Sequence, residues 1–473
     1  MIMLLFLPEI ILLLTGIIFL TMSLGRFNGV ILKKTALCCG SMVVLAALAG
    51  LQQNGLLFFA SYQVDIYSQF FKLLMALAAL MVLAFGGDLP GVAKENRAEY
   101  YLFLFMSLLG LMMLVSSVEL IAVFIALELS SFAVYLMVPL RKPDGKNYTQ
   151  SEAGIKYILF GVMASGLLLF GMSYLFGLSS STYLTEIAKK IPDMISQPAA
   201  IMAMLMVMAG FFYKLALFPF HFWVPDIYEG SANETAAFIA AVPKIAATAM
   251  LIRLAAMLNS DHAALLLMLC SLASMFYGNL AALVQKDLKR MLGYSSIAHA
   301  GFVLFGILIL QVSGYACSAY YITGYALANL ACFLVICSLA ADGENLLIED
   351  LRGLNQRSPL LALTLLAALF SLAGIPPFIG FTGKFMLLIG ALKHDSRLLV
   401  PVILAAVNTA IGIYYYLSVV RSAYFSEKNA APPVKTGKAV KTLAILLIAA
   451  IIYLGIMPSA LLDFITRAIG LTG

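Results

Sequence analysis

Four ionisable residues interrupt long apolar stretches of the sequence, and their chemistry suits the transfer of protons. Glu128 stands in the run IALEL, and Lys214, Lys244 and Lys384 lie inside apolar stretches or beside a predicted helix break. A charged side chain near the middle of a bilayer costs about 2.5–3.5 kcal/mol, so each needs a partner or a water-filled cavity. Burial favours the neutral form of both groups, whereas a nearby opposite charge favours the charged form. A lysine facing a movable carboxylate could therefore hold or release a proton without a cofactor, unless the pair is static and only fixes helix packing.

Three further side chains are candidates for the same proton relay. His299 follows a pair of serines that could carry a chain of water molecules, and His221 comes after a proline-interrupted stretch. Imidazole can pass protons near neutral pH, although a single histidine can equally be a packing residue. Lys156 lies a few residues inside its stretch, where it can take part or extend its amine to the membrane surface. Lys72 and Arg253 lie close to the ends of their stretches, and we predict that both extend to the surface.

Several motifs of soluble enzyme chemistry are missing from the sequence. It contains no nucleotide-binding glycine motif, no zinc-protease motif and no cysteine cluster for an iron–sulfur centre. The chain alone is therefore not expected to oxidise or hydrolyse a nucleotide, and the energy for moving protons uphill must come from elsewhere. We predict that all six cysteines are buried as small hydrophobic residues: Cys38, Cys39, Cys270, Cys317, Cys332 and Cys337.

The composition indicates what kind of molecule positions these residues. Of the 473 residues, 63% are hydrophobic and only 11% are charged, against roughly a quarter charged in an ordinary soluble domain. So few charges cannot cover a water-facing surface, which excludes a soluble globular enzyme. The net charge of +6 is too dilute for a nucleic-acid-binding surface. The apolar stretches are continuous rather than alternating, which excludes a membrane β-barrel and predicts an all-α polytopic membrane protein.

Fourteen stretches are apolar and near the length of about 20 residues that a helix needs to cross a bilayer. Prolines interrupt the seventh (KLALFPFH) and the twelfth (LAGIPPF), and should break both helices because proline lacks a backbone N–H donor. The predicted spans are 3–23, 35–52, 68–87, 98–116, 119–140, 152–176, 199–226, 232–257, 261–284, 291–311, 313–341, 358–392, 398–420 and 442–463.

The two interrupted spans indicate an internal repeat. They are five spans apart and therefore cross the membrane in opposite directions, as the broken helices of inverted-repeat transporters do. Spans four to eight and nine to thirteen would then form two inverted five-helix repeats, although single prolines are also common in membrane helices. We predict four segments: three N-terminal helices at 1–97, a first repeat at 98–258, a second repeat at 259–424 and a C-terminal helix at 425–473.

The distribution of lysine and arginine predicts the orientation in the membrane. Loops after odd-numbered spans carry 18 of these residues, whereas the other loops and the termini carry five. Because basic loops stay in the cytoplasm, the odd-numbered loops are predicted inside and both termini outside. The first span carries Glu9 and no basic residue precedes it, so we predict no cleaved signal peptide. Residues 182–196 could form a short amphipathic helix on the outer surface.

Six sequence motifs go together and point to a known family. They are ALEL at 126–129, KLALFPFHFWVPD at 214–226, VPKIA at 242–246, KRMLGYSSIAH at 289–299, LAGIPP at 372–377 and GKF at 383–385. They resemble the antiporter-like membrane subunits of respiratory complex I, the bacterial NADH:quinone oxidoreductase, over nearly the whole chain. The chain ends soon after span fourteen without a lateral extension, which favours the N type over the L type. It departs from the family at Ala232 and Glu234, where prolines often follow the preceding glycine.

The resemblance implies a fourteen-helix fold with inverted repeats and a polar axis along the membrane midplane. In the first half, Glu128 would modulate Lys214, with Lys156 beside them. Lys244 would connect this half towards the second through His299. Beyond them, a final buried lysine would handle protons at the outer end of the axis, and by position this is Lys384.

The resemblance also implies where electrons and partners are found. Subunits of this family hold no redox centre, so NADH, quinone, FMN and iron–sulfur clusters would be used by sister subunits. The expected partners are M-, K- and L-type membrane subunits, the peripheral redox arm reached through them, and the lipid of the bacterial inner membrane; no nucleic acid is expected. A multisubunit sodium/proton antiporter, which shares the fold and has no electron donor, is an alternative. A membrane scaffold is a third possibility, although four central charges argue against it.

Overall fold

The computed structural model describes residues 2–25, 27–143, 149–194, 198–255, 261–425, 433–434 and 436–470. Helices dominate this part of the chain, and we number them in chain order. Their bounds are α1 Ile2–Leu5, α2 Leu7–Ser23, α3 Gly29–Ala49, α4 Ile66–Phe85, α5 Arg97–Ser116, α6 Leu120–Met137, α7 Thr149–Ser179, α8 Leu184–Met194, α9 Pro198–Leu215, α10 Val224–Gly230, α11 Asn233–Ala255, α12 Asp261–Ala282, α13 Leu288–Ile307, α14 Val312–Leu339, α15 Leu354–Arg357, α16 Pro359–Ala373, α17 Ile379–His394, α18 Leu399–Phe425, α19 Lys438–Ile456 and α20 Ser459–Gly470.

This architecture confirms the prediction of an all-α polytopic membrane protein. Among the described residues, eleven helices are long and apolar enough to cross a membrane, and α2 and α16 are shorter apolar helices. A small antiparallel hairpin, Gly55–Leu57 with Tyr62–Val64, joins α3 to α4 and was not expected from the sequence. The exact number of spans and the segment boundaries remain predictions.

The seventh predicted span is broken between α9 and α10, as the sequence predicts. Ala216 takes a left-handed conformation with φ of 69°, and the N–H of Leu217 donates to the carbonyl of Phe212 at 2.8 Å. Pro219 has no N–H, so the carbonyl of Leu215, four residues earlier, receives no helical hydrogen bond. The break therefore leaves a main-chain acceptor inside the membrane region.

The twelfth predicted span is broken in a similar way between α16 and α17. Gly374 is left-handed with φ of 81°, and the N–H of Ile375 donates to the carbonyl of Phe370 at 3.0 Å. The two prolines that follow cannot donate to the last carbonyls of α16. The two breaks thus share the same backbone pattern, and the predicted inverted repeats remain a prediction.

Helix α11 lies at the centre of the described structure. Its apolar segment is completely buried, and α4, α5, α9, α13 and α14 pack around it. By contrast, α7, α18 and α19 present much of their apolar surface outward, as helices that face lipid do. A charge carried by α11 is therefore remote from lipid and must find its partners in the protein.

Smaller predictions have mixed outcomes. Helix α8 falls within the segment 182–196, for which a short helix was expected. The prediction that all six cysteines are buried is wrong. Cys39 and Cys332 are buried, three others are partly buried and Cys38 is exposed. Lipid is as apolar as a protein core, so an apolar stretch does not distinguish a lipid-facing residue from a buried one.

The predicted orientation in the membrane depends on basic residues, and four of them lie outside the described residues: Arg26, Lys146, Lys428 and Lys435.

Candidate functional site

Lys214 lies in the last turn of α9 and is only 1% exposed. Its amine donates a hydrogen bond to Ser131 Oγ of α6 at 2.9 Å. Glu128 precedes Ser131 by three residues, so the two side chains share a face of α6. Glu128 is half-buried and accepts a hydrogen bond from Ser165 of α7. The structure thus brings Lys214 to the helix face that carries Glu128, without a direct hydrogen bond between the two.

Lys244 lies in α11, also 1% exposed. Its amine donates to the main-chain carbonyl of Leu215 at 2.9 Å and to Ser296 Oγ of α13 at 3.2 Å. Leu215 is the residue whose helical donor is missing because Pro219 follows it by four positions. The break in the seventh span therefore supplies the oxygen that holds this lysine.

Lys384 of α17 is held in the same manner by the second break. It is 6% exposed, and its amine donates to the carbonyls of Leu372 at 2.9 Å and Ala373 at 3.4 Å. The helical partners of these two carbonyls would be the backbone nitrogens of Pro376 and Pro377, which carry no hydrogen. Each break thus presents main-chain oxygen to a lysine from another helix.

Helix α13 runs between these two lysine sites. Ser296, His299 and Phe302 are spaced by three residues and so lie along one face of the helix. Ser296 accepts from Lys244, and the amine of Lys384 lies 5.0 Å from the ring centre of Phe302. His299 sits between them on the same face of the helix.

Both ring nitrogens of His299 are hydrogen-bonded to tyrosines. Nδ1 lies 2.6 Å from the hydroxyl of Tyr321 on α14, and Nε2 lies 3.0 Å from the hydroxyl of Tyr416 on α18. Tyr416 is also hydrogen-bonded to Ser295. A neutral imidazole has one donor and one acceptor nitrogen, so one tyrosine donates to the ring and the other accepts from it. An imidazole placed in this way can receive a proton on one side and release one on the other.

His221 packs among aromatic side chains in the segment between α9 and α10. It is 1% exposed, and within the described residues neither ring nitrogen has a hydrogen-bond partner. Its ring packs against Phe222 and Tyr277, with ring centres 4.2 and 4.3 Å away. These contacts suit a packing residue, and its predicted relay role stays a prediction.

Lys156 belongs to an ion-pair network at the loop end of its helix. Its amine contacts Glu152 and Asp226 at 2.7 Å each, and Asp226 also pairs with Arg290 at 2.8 Å. The side chain of Lys156 is 38% exposed. Among the described residues, it contacts neither Glu128 nor Lys214. Nearby carboxylates therefore hold it towards the surface, and the network ties α7, α10 and α13 together.

Lys72 forms a buried ion pair that sequence reasoning missed. The prediction that it extends to the membrane surface is wrong, since Lys72 and Glu9 are both 0% exposed and their charged atoms lie 2.8 Å apart. The hydroxyl of Tyr62 donates to Glu9 at 2.7 Å and accepts from Lys72 at 2.9 Å. The apolar setting of Glu9 was a visible signal, but nothing in the sequence connected it with Lys72.

Arg253 also differs from its prediction. Instead of reaching the surface, its guanidinium donates to both carboxylate oxygens of Asp65, at 3.1 and 3.0 Å, and to the carbonyl of Val115 at 3.1 Å. Its side chain is 10% exposed. The short segment before α4 brings Asp65 to the end of α11, and a position near a span end therefore did not imply exposure.

The arrangement as a whole suits proton exchange. Amines, hydroxyls and an imidazole follow one another through the buried part of the chain. Within the described ranges, no group of three or more His, Cys, Asp or Glu side chains is placed to hold a metal ion.

Sequence comparison places the chain among known proteins. Residues 117–412 match the family described as NADH:quinone oxidoreductase/Mrp antiporter, TM. The protein named NADH-quinone oxidoreductase subunit N 2 of Opitutus terrae is 45% identical over 467 residues, covering 98% of this chain and 97% of the relative. Subunit N of Coxiella burnetii is 38% identical over 409 residues, covering 84% of this chain and 83% of the relative.

Comparison with solved structures agrees with the comparison of sequences. A chain of respiratory complex I from Thermus thermophilus superposes with a TM-score of 0.83 at 29% identity, over 96% of this chain and 98% of that one. A chain of the Mrp complex from Dietzia sp. DQ12-45-1b has a TM-score of 0.85 at 18% identity, over 99% and 96%, which shows a shared fold alone. The protein described here therefore belongs to the NADH:quinone oxidoreductase/Mrp antiporter family of transmembrane subunits, and the two relatives compared above by sequence carry the name of subunit N.

Proposed function

We propose that the chain moves protons as the N-type membrane subunit of a bacterial NADH:quinone oxidoreductase. One observation carries the proposal: the buried amines of Lys214, Lys244 and Lys384 donate to hydroxyls and main-chain carbonyls rather than to carboxylates. A lysine in a static ion pair cannot lose its proton without leaving a buried carboxylate unpaired. A lysine held by neutral acceptors can, and this supports proton transfer over a purely structural role.

The residues of the axis have distinct parts in this proposal. Glu128 alters the proton affinity of Lys214 according to how closely its carboxylate approaches, because an opposite charge favours the protonated amine. Lys244 exchanges protons with His299 along α13, and His299 exchanges them with Lys384. The order of the contacts along one face of α13 supports this sequence.

Electron transfer belongs to other subunits in this proposal. The relatives carry the name of NADH-quinone oxidoreductase, and we infer that NADH, FMN, iron–sulfur clusters and quinone act in sister subunits. The chain is then a non-redox part of a translocase, with M-, K- and L-type membrane neighbours and the peripheral arm beyond them. Its place is the bacterial inner membrane, with both termini outside according to the bias of basic loops.

A second candidate is a subunit of a multisubunit sodium/proton antiporter. The family description names the Mrp antiporter, and the Mrp complex chain shares the fold. The same lysines would then serve cation–proton exchange without an electron donor. The N-subunit names of relatives at 45% identity favour the respiratory complex.

Affinity purification of the tagged full chain in mild detergent, with mass spectrometry of the proteins that remain bound, tests the choice. Recovery of flavin- and iron–sulfur-bearing subunits together with an NADH-dependent quinone reductase activity is the expected result. Recovery of other membrane subunits without redox subunits would instead identify the cation/proton antiporter.

Replacing Gly374 with alanine is expected to impair pumping through Lys384. The residue is left-handed with φ of 81°, a conformation that costs an L-residue roughly 1–2 kcal/mol. A Cβ at this position would lie 3.1 Å from Cδ and 3.5 Å from Nζ of Lys384, so the lysine must shift. NADH-driven proton uptake into inverted vesicles should be slower per NADH oxidised.

Gly390→Ala is the matched control for this change. A Cβ at Gly390 of α17 meets only Ile309 Cδ1, at an ordinary 3.7 Å, and we expect wild-type pumping. Equal pumping by Gly374→Ala and Gly390→Ala would contradict the proposed dependence on the position of the Lys384 amine.

A further inference from the structure

Glu234 is a buried carboxylate that the axis described above does not use. It is the second residue of α11 and only 1% exposed, and within the described residues neither carboxylate oxygen has a hydrogen-bond partner. The loop after α4 covers it: a Cβ built at Gly86 would lie 2.9 Å from its Cγ, and one built at Gly91 would lie 3.8 Å from Oε2. A buried polar group without a protein partner is normally satisfied by ordered water.

Other buried polar atoms around Glu234 also lack a hydrogen-bond partner within the described residues. Ser231 Oγ and Asn233 Oδ1 are buried and have no partner in the described part of the chain. The hydroxyls of Thr235 and Tyr100 lie beside each other and near the carboxylate, but they do not form a hydrogen bond of normal geometry. Together with Glu234, these unsatisfied oxygens form a polar pocket at the start of α11 whose hydrogen bonds bound water would satisfy.

The charges that face this pocket are positive. Lys289 of α13 is 0% exposed and donates to the carbonyl of Ser231 at 2.9 Å. Together with Arg97 and Arg141, it is close enough for its charge to act on Glu234. These positive charges oppose the binding of a metal cation, whereas burial favours the binding of a proton, which neutralises the carboxylate.

Further unsatisfied hydroxyls lie near the Ser296 hydroxyl that binds Lys244. Glu234 and Lys244 are ten residues apart on α11, which corresponds to about 15 Å along the helix. Tyr228 and Tyr325 lie next to Ser296, the hydroxyl that accepts from Lys244. Both tyrosine hydroxyls are buried, and neither has a partner of normal geometry within the described residues. Bound water can therefore connect them with the pocket at Glu234.

We propose that Glu234 is the proton-uptake group of this subunit. Its carboxylate takes a proton from a hydronium ion that reaches the pocket from the cytoplasmic solution, which forms the carboxyl O–H bond and leaves a water molecule. The O–H bond breaks again when the proton passes through bound water and the hydroxyls of Tyr228 and Tyr325 to the neutral amine of Lys244, where an N–H bond forms. The inference rests on the proposed function and adds to it a residue at which the sequence departs from its family. The basic-loop bias places this end of α11 on the cytoplasmic side, from which a respiratory pump takes its protons.

The test compares Glu234→Gln, Glu234→Asp and Glu344→Gln in the whole complex, in inverted membrane vesicles. Glutamine keeps the shape but cannot exchange a proton, so NADH-driven pumping should fall by about tenfold or more. Aspartate should keep most of the rate, and Glu344→Gln, which changes an exposed carboxylate, should keep all of it. Redox-induced infrared difference spectra should contain a protonated-carboxyl band that Glu234→Gln lacks and Glu234→Asp shifts.

Each outcome decides between a proton-uptake role and a packing role. Wild-type pumping by Glu234→Gln, or a carboxyl band that this variant retains, overturns the inference. If Glu234→Gln does not assemble, an unshifted band in Glu234→Asp overturns it instead. Lys214→Met in the same assay separates the two levels: normal pumping by that variant contradicts the proposed function, whereas lost pumping there with normal pumping by Glu234→Gln contradicts only the uptake role.

Discussion

Replacing Lys214 with alanine is expected to abolish proton pumping while the subunit still assembles into its complex. The amine is buried and donates to Ser131 Oγ at 2.9 Å, on the face of α6 that carries Glu128. A positioned proton-transfer group contributes about 10²–10⁴-fold to a rate, so pumping should fall by about 100-fold or more. Assembly should survive, because removing a buried ammonium also removes the cost of burying it. A pH-sensitive dye in inverted vesicles supplied with NADH measures the pumping rate.

Two controls assign the effect to the charge. Lys214→Met keeps most of the side-chain volume, so equal loss in both variants points to the ammonium rather than to a cavity. Lys286→Met removes an exposed lysine between α12 and α13 and should pump normally. Pumping at the wild-type rate by Lys214→Ala would show that this amine is not on the proton path.

The second large effect is a loss of stability, which we expect when Lys72 is replaced. Lys72 and Glu9 are both 0% exposed, with 2.8 Å between their charged atoms, and Tyr62 bridges them. Lys72→Met would leave Glu9 as a buried carboxylate without a counter-charge, which costs about 3–5 kcal/mol. Thermal unfolding of the detergent-solubilised complex, followed by the loss of the monodisperse particle, should occur at a clearly lower temperature.

The double variant Lys72→Met/Glu9→Gln tests the cause. With both charges removed, most of the lost stability should return, since a neutral pair avoids the uncompensated carboxylate. Lys33→Met is the surface control: Lys33 and Asp88 lie 3.5 Å apart with side chains 30% and 69% exposed, and such pairs contribute about 0–1 kcal/mol. If Lys72→Met unfolds at the wild-type temperature, burial of the pair does not govern stability here.

The central lysines could be predicted from the sequence because a charge in an apolar stretch is visible without knowledge of the fold. Lys214, Lys244 and Lys384 were expected to be buried, and all three are. The two helix breaks were also predictable, since a proline removes a backbone donor wherever it stands in a helix. Local chemistry was sufficient in each of these cases.

The partners of these groups could not be predicted in the same way. Lys72 and Arg253 lie near span ends, where the sequence alone favours extension to the surface, but Glu9 and Asp65 from distant segments meet them inside the fold. The packing of helices from different parts of the chain decides which side chains meet. The freed carbonyl of a broken helix can be foreseen, whereas the lysine that reaches it depends on how a second helix packs against the break.

The lysines at the two breaks are held by oxygen atoms that every amino acid possesses. Substitutions at Leu215, Leu372 or Ala373 change the side chain and leave the carbonyl acceptor in place. The acceptor is lost only when a backbone N–H returns to the helix, for example by replacement of Pro219 or Pro376. Over evolutionary time, the side chains at these three positions are therefore free to change, and the constraint falls on the prolines that keep the carbonyls free.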